Sequence, residues 1–300
     1  MRTLFCLASI ACASAIERAP VPPLEVCETY DAPASATRSD GAWWVLQPHE
    51  SRSPTHHMGH ERLFGDGVDG INLLVLRAVD DVQQRAPDGG GYFIGISAEP
   101  TESPVGQPLQ MYGRSMLSPT RSSSYCTGAT YAALLGAVER AVPEGLDEVR
   151  LEALRLQEPD GSRREDERSV WGWWNADGAG GELALVQLVG AGVLVDQIDA
   201  RPGDFVNISW RGGRGHSAVF LGWTFSEGQP AMRYWSSNPG TDGYGDQTSL
   251  LSDMDALVVV RLRRPAAFKS FQPEGAVRRR GVAYPPLWRC QTPLRTCEVG

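Results

Sequence analysis

The order of two hydrophobic spacings constrains this chain most: helical patterns come first and strand patterns follow. From Gly70, Ile71, Leu74, Val75, Ala78, Val79 and Val82 recur at helical spacing until Pro87 stops the run. A second stripe, Tyr131, Leu134, Leu135, Val138, Ala141 and Val142, ends at Pro143, and residues 145–156 predict another helix. Past residue 200 the pattern changes. FVNISW (205–210), SAVFLGW (217–223), MRYWSS (232–237) and LVVVRL (257–262) are short, rich in β-branched and aromatic residues, and several are separated by glycine-rich turns. Helices followed by consecutive strands predict an α+β fold with an antiparallel sheet, not alternating βαβ units. WWVL (43–46) and the glycine-bounded GGGYFIGIS (89–97) are further strand candidates, residues 182–189 a short helix, and residues 101–124 a turn-rich stretch.

With 300 residues, 42% apolar and 21% charged, the chain can bury a sizeable core. Its net charge of −8 excludes nucleic acid as an expected partner, because phosphate binding needs a basic face. Lys269 is the only lysine, and RRR at 278–280 the only tight basic run. The first residues read as an export signal (1–15): Arg2, the apolar stretch Leu4 to Ala13, then Ala13-Ser14-Ala15. A lipid anchor on Cys12 is the minor alternative, since Ser9 stands where such signals usually carry Leu. No other segment approaches about 20 uninterrupted apolar residues, so no transmembrane segment is expected in the mature chain. The expected location is secreted, periplasmic or cell-surface. A Pro- and Ala-rich linker (16–42) leads into one domain (43–264), and a Pro- and Arg-rich tail (265–300) ends the chain. In an oxidising compartment Cys27, Cys126, Cys290 and Cys297 allow three fully paired connectivities. Cys290 and Cys297, flanking QTPLRT, form the expected local disulfide; Cys27 and Cys126 are then bonded together or both reduced.

The chemistry-bearing candidates begin with Cys126 in SSSYCTGATYAALLGAVERAV. A cap from Ser123 or Ser124 would put Cys126 in the first helical turn, where the helix dipole and unfilled N–H groups favour a thiolate. A buried apolar thiol is the structural alternative. A thiol nucleophile needs a base, and His216 is the only histidine after Cys126. GHSAV near Ser217 resembles the G-x-S-x-G elbow of serine hydrolases, but Val219 replaces the second glycine and a strand follows instead of a helix. Three histidines in HHMGH (56–60) suit zinc in number, yet a surface loop is the reading adopted, and no metal or other cofactor is expected.

YCTGATYAALLGA resembles the D-C-S-G segment of the NlpC-type papain-like peptidases and amidases. ARPGDFVNISWRGGRGHSAVFLGW is similar to their P-G-D … G-H segment. The resemblance implies helices packed on a small antiparallel sheet, with Cys126 as nucleophile and His216 as base. It also implies an orienting residue on the next strand: Asn238, with Ser237 and Asp242 as alternatives. Tyr125 replaces the family's usual acid, and the long Cys-to-His spacing marks an insertion near residues 145–180. The family's upstream tyrosine maps onto Tyr112. The implied activity is hydrolysis of an amide bond, on cell-wall (peptidoglycan) peptides, through a thiol acyl-enzyme. A transferase using the same intermediate, and a catalytically silent domain binding cell-wall or glycan ligands through its tryptophans, are the alternatives.

Overall fold

The computed structural model describes residues 43–273, apart from 69, 120, 165–168, 171–184 and 186–188. The signal, the linker, the tail beyond residue 273, Cys27, Cys290 and Cys297 lie outside the described residues, as does most of 182–189. Among the described residues no helix is long and apolar enough to cross a membrane.

The fold is mixed α+β. Helices α1 (Pro48–Ser51), α2 (His60–Phe64) and α3 (Gly70–Arg85) come first, followed by a small hairpin of β1 (Leu109–Met111) and β2 (Arg114–Leu117). Helices α4 (Cys126–Ala141) and α5 (Glu148–Leu154) precede β3 (Gly192–Val195), β4 (Phe205–Trp210), β5 (Gly215–Ser226), β6 (Gln229–Asn238), β7 (Gly243–Leu250) and β8 (Met254–Leu262). These six strands form one antiparallel sheet in the order β3-β8-β4-β5-β6-β7.

Alternation along the central strands divides the core. Phe205, Val219, Leu221 and Trp235 face α3 and α4, whose predicted stripes (Val75, Val79, Leu134, Val138) are buried against them. Val206, Ile208, Ala218, Phe220 and Tyr234 face the other way and are covered by Trp43, Val45, Ala200, Leu251 and Met254. Residues 43–46 therefore contribute a buried cover. Only Val45 bridges a strand, pairing with Trp223.

The glycine-bounded strand expected at 89–97 is not one. Gly89, Gly90 and Gly91 all have φ between 73° and 97°, Tyr92 makes a single bridge to Ser124, and Gly95–Ser97 is a 3-10 turn. The turn-rich stretch 101–124 contains the β1–β2 hairpin, and α5 starts three residues later than the predicted 145–156 helix, behind the Asp147 cap. Strands β3 and β7 escaped the sequence analysis. Strand β7, GYGDQTSL, is mostly polar and glycine-containing, yet it pairs with β6 along its whole length.

Candidate active site

Cys126 is the first residue of α4 and is 3% exposed. It is in the thiol state. The cap differs from expectation: Tyr125 is the N-cap, in extended backbone, and no side chain fills the cap. Ser124 instead donates its hydroxyl to Ser237 Oγ at 2.8 Å, so the serine meant to close the helix ties it to the sheet. Gly128 has a packing reason. A Cβ there would lie 2.0 Å from the carbonyl oxygen of Pro104, which accepts the Tyr125 N–H. That contact holds the first turn of α4 against the 103–104 segment.

The other candidates sit on the middle strands. His216 is the second residue of β5 and Asn238 the last of β6. Pairing of Val219 with Trp235 and Phe220 with Tyr234, continued toward the strand ends, sets His216 opposite Asn238 and Ser217 opposite Ser237. The structure brings His216 and Asn238 together: the Asn238 side chain hydrogen-bonds to the imidazole. Burial lowers the His216 pKa to about 4, and the hydrogen bond that the ring donates to the Asn238 side chain works in the opposite direction. The ring is therefore neutral near pH 7, with a lone pair ready for a proton. Its Nε2 is buried and has no hydrogen-bond partner among the described residues. Tyr234 packs edge-on against the ring at 5.6 Å and Trp210 lies 6.3 Å away.

Two hydroxyl bonds clasp α4 to these strands. Ser124–Ser237 is one; Thr130 Oγ1–Ser217 Oγ, at 2.9 Å, is the other. Each strand serine is adjacent in sequence to a candidate residue, but alternation sends His216 and Asn238 to the sheet face opposite Ser217 and Ser237. His216 and Asn238 therefore lie where β5 begins and β6 ends, on the face opposite the two hydroxyl bonds to α4. Burial pushes the Tyr234 phenol up to about 12 against the lowering effect of its hydrogen bond with Ser249, and the charge of Cys126 adds a smaller upward push. Thr130→Val should cost about 1 kcal/mol in chemical denaturation. It should also slow alkylation of Cys126 severalfold, whereas a clasp with no positioning role would leave the alkylation rate unchanged.

Tyr112 is not at the site. Its hydroxyl donates to Val142 O at 2.7 Å, at the C-terminal end of α4, a 16-residue helix away from Cys126. The neighbour of Cys126 is Tyr92, which packs with Tyr125 and Cys126 in one small cluster. Burial and then the charge of Cys126 raise the Tyr92 phenol well above its usual range, which keeps it a hydroxyl donor. Sequence spacing could not identify it, because only the Tyr92–Ser124 bridge carries it to the helix start. Ser237, the alternative third residue, is committed to Ser124. Asp242, the other alternative, accepts the Tyr92 N–H at 3.3 Å in a left-handed turn. Ser217 is buried within a strand, not on a strand-to-helix elbow.

HHMGH is not a surface loop throughout. His60 is wholly buried, and with His57 and Asp246 it forms the one three-residue group of suitable donors among the described residues. Proton accounting decides what the cluster is. His57 Nδ1 accepts the Gly59 N–H at 3.1 Å, so its proton sits on Nε2, which donates to Asp246 Oδ2 at 3.0 Å. His60 faces Asp80 Oδ1 at 2.7 Å through Nδ1 and Asp246 Oδ1 at 2.9 Å through Nε2, so both nitrogens carry protons. Arg233 donates two bonds to Asp246 Oδ2. With the protons so placed, these nitrogens bond to carboxylates instead of presenting lone pairs. Two carboxylates balance one imidazolium and one guanidinium, and the cluster is a neutral buried ion network tying residues 57–60 to α3, β6 and β7.

Comparison with known proteins finds no matching family model, no matching curated protein and no matching solved structure.

Proposed function

We propose that this chain is an exported thiol hydrolase that cleaves an amide bond through a Cys126 acyl-enzyme. The observation carrying the reading is a neutral, buried imidazole beside Asn238, its Nε2 without a hydrogen-bond partner among the described residues, on a strand whose next residue, Ser217, bonds to α4. His216 takes the thiol proton as Sγ attacks the carbonyl carbon. The oxyanion develops beside the uncapped helix start and the Tyr92 hydroxyl, both suited to donate to it. The imidazolium then protonates the departing amine, leaving a thioester, and the same ring draws a proton from water to release the acid. Asn238 holds the ring in position through both steps. An NlpC-type papain-like core and cell-wall peptides as substrates belong to this proposal, on the two motif resemblances alone.

A binding-only domain would need exposed tryptophans. Trp43, Trp44, Trp223 and Trp235 are buried, Trp210 is half-buried, and Trp171, Trp173, Trp174 and Trp288 lie outside the described residues. Incubating the protein with cell-wall peptides, quenching in acid and mapping the digest by mass spectrometry should reveal an acyl group on Cys126 and free amine in solution. Intact peptides and an unmodified Cys126 would refute the hydrolase. Transfer of the acyl group to an added amine, with little hydrolysis, would make the enzyme a transferase.

A further inference from the structure

Tyr125 stands immediately before the thiol, and both its backbone and its ring are fixed. Its N–H donates to Pro104 O at 2.9 Å, its extended backbone makes it the N-cap of α4, and it is 5% exposed. The segment 92–95 lies against its ring. Tyr92 packs on it with ring centres 5.9 Å apart, Phe93 N–H donates to Ser124 O at 2.9 Å, and a Cβ on Gly95 would lie 3.0 Å from Tyr125 Cδ1. The Tyr125 side chain packs against Cys126 and hydrogen-bonds to it. Burial first, and then the charges of Cys126 and Tyr92, hold the phenol well above its usual range, so it keeps its proton and is the donor in that bond. Arg214, whose charge is felt at both phenols, works in the opposite direction and is outweighed.

We propose that Tyr125 is a catalytic residue whose hydroxyl donates to Sγ of Cys126 and steadies the thiolate that attacks the amide. The proton that Sγ loses goes to Nε2 of His216, and the phenol keeps its own, so Tyr125 is a fixed donor and not an acid. A hydrogen bond to a charged sulfur is stronger than one to a neutral thiol, so the contact tightens as the proton leaves. The proposal rests on the thiol-hydrolase reading for the reaction it serves, but the bond to sulfur is a separate claim.

Tyr125→Phe removes the hydroxyl alone. Alkylation of Cys126 by iodoacetamide near neutral pH should slow about tenfold, with the rates of wild type and variant converging at alkaline pH, where the thiol is ionised in both. Turnover should fall about tenfold through kcat, with KM unchanged. A packing role alone would change the alkylation rate by the same factor at every pH or leave it unchanged, and either result overturns the proposal. Placing 3-fluorotyrosine at position 125 keeps the ring and strengthens the donor, so the pH profile should move down, opposite to its direction in Tyr125→Phe. The β-carbon resonance of Cys126, titrated with pH, reads the same ionisation without a reagent. A profile that shifts as expected while cell-wall peptides stay intact keeps the phenol assignment and sinks the hydrolase reading. An unmoved profile with full hydrolysis does the reverse.

Discussion

His216→Ala and Cys126→Ala should each lower amide hydrolysis by at least about a thousandfold, with the fold retained. The two losses should not multiply in the double variant, because thiol and imidazole act as one unit. Iodoacetamide separates the two roles. Cys126→Ala removes the alkylated atom altogether, whereas His216→Ala leaves the thiol but takes away its proton acceptor, so alkylation near neutral pH should slow by about tenfold or more. Burial holds the His216 pKa near 4, so the resting ring is neutral near pH 7. Activity should accordingly persist down to about pH 5 instead of collapsing near the ordinary histidine value. Asn238→Ala should be milder, slowing turnover while leaving the alkylated residue unchanged. Full hydrolysis by His216→Ala would refute the base assignment.

Asp246→Asn should destabilise the protein by about 3–5 kcal/mol, because it leaves the buried His60 imidazolium and the Arg233 guanidinium facing a neutral amide. For a domain of this size the melting temperature should fall by roughly 10 °C. The pH dependence of stability follows from two histidines shifted in opposite directions. Burial alone would lower His60, but the charge of Asp246, its hydrogen bond and those of Asp80 outweigh burial and raise His60 to about 9. Its stabilisation is complete below the ordinary value of 6.5 and is lost as pH rises through 9. His216 behaves oppositely. Below 6.5 the unfolded chain takes up a proton that the buried ring refuses, so a cost grows from pH 6.5 down to 4 and is absent above 6.5. Each shift is worth roughly 3 kcal/mol. Stability should therefore peak near pH 6.5, with His216→Gln flattening the acid limb and Asp246→Asn the alkaline limb. Denaturant midpoints across pH 4–9 would show it. A profile that stays level between pH 6.5 and 9 would mean that His60 is not a buried cation.

Periodicity was a reliable guide where one face packs and the other does not. It located α3 and α4 and the middle strands β4, β5, β6 and β8, because their apolar positions answer to a single core. It failed where backbone conformation or pairing decides. Strand β7 is held by a full ladder to β6 despite its polar composition, and GGGYFIGIS looked strand-like although its three left-handed glycines break extension. The proposed site was legible only as side-chain types. Cys126 stood out as a thiol at a predicted helix start and His216 as the only histidine after it, while Asn238 came from the family resemblance. Tyr92 did not stand out, since no local spacing reports a bridge across 32 residues of chain. Ser124 looked like a cap in sequence, where its competing partner Ser237 is 113 positions away. His60 read as loop because the acids that bury it, Asp80 and Asp246, come from α3 and β7.

The reading depends on Sγ of Cys126 and the ring of His216 meeting where β5 begins and β6 ends. 1,3-Dibromoacetone can alkylate two nucleophiles a few ångströms apart and join them through a three-carbon bridge. Applied to the intact protein near neutral pH, followed by proteolysis and mass spectrometry, it should yield one cross-linked peptide pair joining Cys126 to His216. A singly alkylated Cys126 with His216 untouched, or a Cys126 found disulfide-bonded to Cys27, would contradict the account.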